Sequence, residues 1–143
     1  MPDIENLQPF PSRGGPLSSG SCESSTDGYD AVSITSHTSA HTKGNYTQIL
    51  ASTSKASIGL LVTLVQLSNS YRFMVDIATG AAAAEVVRIP NVFANDGTQI
   101  GMMSAGSFFP VYIPAGTRIA ARCQDSQGGG NSIQVRISTV PLD

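Results

Sequence analysis

After residue 28 the chain breaks into short Val/Ile/Leu-rich runs separated by Gly, Pro, Asn and Asp at near-regular intervals. This is the pattern of a compact all-β module. The runs give eight candidate strands, over residues 31–35, 46–51, 57–67, 71–79, 84–89, 107–113, 117–124 and 132–139. In the fourth, Tyr71, Phe73, Val75 and Ile77 alternate with Arg72, Met74, Asp76 and Ala78, as a half-buried strand requires. In the third, Ile58, Leu60, Val62 and Leu64 share one face and Gly59, Leu61, Thr63 and Val65 the other, so both faces are expected to be covered.

The remaining strands are punctuated just as clearly. Residues 80–84 hold four alanines but follow a glycine and are short, so they read as a loop into a strand that Pro90 ends. Pro110 marks the 107–113 run as an edge or bulged strand. Pro114-Ala115-Gly116 is a tight-turn signal that predicts a hairpin into 117–124, and Gly128-Gly129-Gly130 predicts a flexible loop before the last strand. Eight short strands at such spacing predict an antiparallel two-sheet sandwich, jelly-roll-like in topology.

Residues 1–28 differ. Pro2, Pro9, Pro11 and Pro16, with Gly14, Gly15, Gly20 and Gly28 and a scatter of Ser, leave too little apolar material for a core. They read as an extended N-terminal arm on a β-sandwich domain that spans 29–143. Ile4, Leu7, Phe10 and Leu17 are isolated apolar residues in that arm, and Pro9 and Pro11 stiffen the chain around Phe10. Such residues are expected to dock into pockets of a neighbouring protein.

Charge limits the partners. Charged residues are 13% of the chain, against about 25% in average soluble proteins. A surface so poor in charge suits lasting contact with neighbours. The acids Asp3, Glu5, Glu23 and Asp27 face only Arg13 in the arm, so the body is near neutral. Arg118, Arg122 and Arg136 are too few for a nucleic-acid track and are expected as salt-bridge partners or a solvated face. No positively charged leader and no membrane-length apolar run is seen, so neither secretion nor membrane insertion is expected. Cys22 and Cys123 do not make a disulfide framework, and Cys123 reads as a small buried hydrophobe.

The motifs that could carry chemistry are weak. His37 and His41 sit in a Ser/Thr-rich stretch without a third ligand, so no metal or other cofactor is expected. Ser52-Thr53-Ser54-Lys55 has serine–lysine acylase spacing but lies between strands and lacks the partner motifs. Asp76, Glu85, Asp96 and Asp125 are the body's interior carboxylate candidates. Asp76 reads as an ion pair with Arg72, and the aspartates at 96 and 125 as turn residues, so no acid–base pair is expected. The chain is not expected to be an enzyme.

Residues 71–91 and 108–124, above all the phrase FPVYIPAGTRIAAR, resemble small virion proteins of tailed bacteriophages. The resemblance implies a structural, usually oligomeric β-sandwich protein with no catalytic residues. The usual roles of such proteins are capsid decoration (cement) or part of a tail or head fibre, and with the arm and the low charge the expectation is a capsid decoration protein, a homo-oligomer with a trimer favoured. The arm would clamp major capsid protein subunits on the capsid exterior of a virion after synthesis in the host cytoplasm. The alternative is a tail or head fibre or baseplate module that binds a host receptor or glycan through the 98–106 and 128–130 loops.

Overall fold

A computed structural model describes residues 23–24, 31–65, 72–94 and 106–142. The arm residues Ile4, Leu7, Phe10 and Leu17, and the expected loop at 98–105, lie outside the described residues. Nine strands and no helix occur among those described: β1 (Glu23–Ser24), β2 (Val32–Thr35), β3 (Thr47–Leu50), β4 (Ser57–Val65), β5 (Phe73–Thr79), β6 (Val86–Ala94), β7 (Ser107–Ile113), β8 (Ile119–Asp125) and β9 (Ser132–Pro141). The eight expected strands are all present. The ninth, β1, pairs Glu23 and Ser24 with Thr139 and Ser138 of β9, so the end of the N-terminal stretch joins the sheet.

The strands form two antiparallel sheets. In the first, β9, β4 and β7 lie side by side, and β1 and β2 take successive stretches along the other edge of β9. The second has the order β3-β8-β5-β6. Every strand from β2 to β5 pairs with its mirror image in the second half of the domain: β2 with β9, β3 with β8, β4 with β7 and β5 with β6. The chain is therefore arranged as one long hairpin rolled up on itself.

Alternation decides which side chains enter the core. Phe73, Val75 and Ile77 of β5 and Ile119, Ala121 and Cys123 of β8 meet Leu60, Val62, Ile133, Val135 and Ile137 of the opposite sheet, all essentially inaccessible to solvent. Burial pushes the Cys123 thiol up to about 12, helped by the Asp125 carboxylate, so it stays a thiol at physiological pH.

Three expectations need correction. The Pro114–Gly116 turn does not close a hairpin, because β7 belongs to one sheet and β8 to the other. The turn's hydrogen bonds go instead to buried Thr53, in the segment between β3 and β4. Thr53 N–H donates to Thr117 O (2.9 Å), Gly116 N–H to Thr53 O (2.7 Å), and Thr53 Oγ1 to Pro114 O (2.8 Å). Two crossovers between the sheets are thus tied together, and the only chain-neighbour pair among the described strands is β5 with β6. Pro90 does not end β6 either. The strand absorbs it in a bulge, where Pro90 and Asn91 (φ 54°) sit between the pairs Ile77–Ile89 and Val75–Val92. Finally, Ile58 is exposed, because the register shifts between Ser57 and Gly59 and breaks the alternation at the start of β4.

Candidate functional site

The outer face of the β3-β8-β5-β6 sheet carries the charge. Asp76 points out of β5 yet is only 4% exposed, because its neighbours close over it. Its Oδ1 accepts from Lys43 Nζ (2.9 Å) and from the Asn91 backbone N–H (2.9 Å), and its Oδ2 from Arg122 Nε (3.1 Å). Lys43 also donates to Met74 O (3.1 Å) and Asn91 Oδ1 (3.0 Å). The Arg122 guanidinium in turn lies 4.6 Å from the Tyr46 ring centroid, a cation–π contact. Burial alone would raise the Asp76 pKa, but the Asn91, Lys43 and Arg122 hydrogen bonds prevail and hold it below the usual carboxylate range. The β6 bulge supplies the Asn91 N–H, so the backbone irregularity and the carboxylate depend on each other.

A second ionic link lies further along the same sheet. Arg118 pairs with Glu85 (3.0 Å) and also donates to Gln48 Oε1 and to the Gly80 carbonyl. The expected Asp76–Arg72 pair is not formed; Lys43 and Arg122 hold the carboxylate instead. The three late arginines make no stripe, since Arg118 immediately precedes β8 and Arg122 is on it, while Arg136 is on β9 of the other sheet.

Asp125, at the end of β8, organises the adjoining loops. It accepts from the Gln127 N–H (2.7 Å), the Gly128 N–H, the Ser36 hydroxyl and the Asn131 amide (3.3 Å). Against the cost of burial, these donors, Ser36 first, lower its pKa. The glycine triplet is therefore an ordered turn rather than a loose loop. All three glycines have positive φ, and a Cβ on Gly128 would strike the backbone of Thr38 and Ala40. His37 and His41 are exposed in the turn opposite, and no metal-ligating cluster occurs among the described residues. The Ser52–Lys55 segment is a bend in which Thr53 is structural.

On the same sheet lies a groove of about 400 Å³, lined by His41, Arg72, Met74, Phe93, Gln124, Asp125 and Ser126. Gln124, Met74 and Phe93 stand side by side on β8, β5 and β6. Phe93 is 56% exposed.

The outer face of the other sheet is different in kind. Its strands β2, β4, β7 and β9 contain one charged residue, Arg136. Leu61 stands beside Phe108 and Gly59 beside Pro110. The Phe108 ring lies over Gly59, where a Cβ would come within 2.4 Å of it. Phe108 (48% exposed), Tyr112 (58%) and Leu142 (55%) leave apolar surface open to solvent.

Sequence reasoning singled out Asp76 and Asp125 but not Lys43, Asn91 or Phe93. Pro90, a strand-ending signal in the sequence, hides Phe93. Comparison of the chain with protein-family models, with curated proteins and with solved structures gives no match.

Proposed function

We propose that the chain is a structural virion protein of the capsid-decoration type, which oligomerises through its β-domain and clamps major capsid protein subunits with the N-terminal arm. The observation that carries this reading is the charge-poor outer face of the β9-β4-β7 side, where Leu61, Pro110, Phe108 and Tyr112 offer apolar area whose burial against a neighbour costs little charge desolvation. Three further points support it. The mirror-image strand pairing fits a jelly-roll reading of the two-sheet architecture, one used by viral shell proteins among others. The described carboxylates Asp76, Glu85 and Asp125 are each engaged by cations or backbone donors rather than aimed at a substrate. The sequence resemblance to phage virion proteins points the same way.

Clamping by such a protein is mechanical: many weak contacts, multiplied by several arms per oligomer, hold adjacent shell subunits together. The test mixes the protein with empty capsids of the phage that encodes it and counts bound copies after sedimentation. Saturation at hundreds of copies is expected, and removal of residues 1–22, which spares β1, is expected to abolish it while the domain stays folded. Binding unchanged by that truncation would overturn the role of the arm. A second reading, a fibre or baseplate module that binds a host receptor, is favoured by the groove beside Phe93; a handful of copies per particle would select it.

A further inference from the structure

We propose that the groove on the β8-β5-β6 face is a binding site for an acidic saccharide, one pyranose carrying a carboxylate. This deepens the receptor-binding reading by naming the ligand class and the residues that take it. The groove is two-sided. Its apolar lining is Met74 and the exposed Phe93, while Gln124, Ser126 and His41 belong to its polar lining. With strands about 4.8 Å apart, the row Gln124–Met74–Phe93 spans roughly 10 Å, a width suited to one sugar ring. A pyranose matches that arrangement: its C–H face packs on Phe93 and Met74, and its hydroxyls meet the amide, the hydroxyl and the imidazole.

The acidic group is assigned from Arg72. Its backbone N–H is bonded to Ser126 Oγ (3.3 Å) and its carbonyl accepts from the Ser126 N–H (3.0 Å), which fixes the residue at the mouth of the groove. Its side chain is exposed, and among the described residues its guanidinium has no carboxylate partner. Two further cations of the same sheet face, Lys43 and Arg122, are by contrast taken up by Asp76. Asp125, the groove's own carboxylate, is occupied by Ser36, Gln127, Gly128 and Asn131 and does not compete for Arg72. A planar guanidinium at a groove, with no carboxylate partner among the described residues, is a group that recognises a carboxylate through two parallel hydrogen bonds. The volume, about 400 Å³, lies toward the small end of the roughly 300–1,000 Å³ typical of small-ligand sites.

Saturation-transfer NMR on the full chain tests this with 3′-sialyllactose and digalacturonate as probes and lactose and adenosine monophosphate as controls. Saturation of either acidic sugar is expected, with the neutral and nucleotide probes at least roughly tenfold weaker. Phe93→Ala and Arg72→Gln, both at exposed positions, are each expected to weaken it by roughly tenfold. No transfer to either acidic sugar, or transfer that both variants leave intact, would overturn the proposal. Preferential binding of lactose or of the nucleotide would also overturn it, yet would leave receptor binding through the groove standing.

Discussion

The outer face of the β3-β8-β5-β6 sheet is cross-linked by charge, whereas the outer face of the β9-β4-β7 sheet carries one charged residue and several exposed apolar ones. On the first face Lys43, Asp76 and Arg122 tie the segment before β3 to β5 and β8, and Arg118 and Glu85 tie β8 to the turn before β6. Such a face is complete without a partner, apart from its groove. The second face leaves Phe108 and Tyr112 half in water, where they gain from being covered. The difference separates what holds the domain together from what it offers to others.

Breaking the charged face should cost the most. Asp76→Ala leaves Lys43 and Arg122 without their shared counter-ion and the Asn91 N–H without its acceptor, and should destabilise the domain by about 3 kcal/mol in urea unfolding. A loss under about 1 kcal/mol would show that the network is ornamental. On the apolar face, Gly59→Ala should cost about 2 kcal/mol. Its Cβ would sit 2.4 Å from the Phe108 ring, which can swing away, and 2.7 Å from the Phe109 carbonyl, which cannot without moving β7. Hydrogen exchange should then show faster opening of β7 than of β5.

Acid should act through the carboxylates of β5 and β8. Asp76 and Asp125 have folded pKa values below those of the unfolded chain, about 4 for a free aspartate. Between the two values the unfolded state binds more protons, so the stability these groups provide is full above about pH 4 and is lost as pH falls through the folded values. The urea midpoint should drop over that interval, and Asp76→Ala should flatten the drop. The smallest expected effect has the opposite sign. Ser57 Oγ is fully buried with no hydrogen-bond partner among the described residues, so Ser57→Ala should stabilise by up to about 1 kcal/mol.

Much of the fold was legible because period-two alternation is a local signal. Phe73, Val75 and Ile77, like Ile133, Val135 and Ile137, could be placed inward from sequence alone. The pairing of strands was not legible, because it is set across long stretches of chain: the Pro114–Gly116 turn looks like a hairpin turn until Thr53, 61 residues from Pro114, is seen holding it. The site was legible in part. The isolated Asp76 on an apolar strand announced a partner, but only the register across β5 and β8 shows that Arg122 faces it. Phe93 was lost because a proline in an edge strand can be absorbed by a bulge, which leaves the residues beyond it in the sheet.

The most direct test of the contrast is sedimentation velocity on three proteins: the natural chain, Phe108→Glu with Tyr112→Glu, and Phe93→Glu. An oligomer is expected for the natural chain and for Phe93→Glu, with the double variant reduced to a folded monomer. A monomeric natural chain, or an oligomer that survives the double variant and dissociates with Phe93→Glu, would contradict the assignment of the apolar face to assembly.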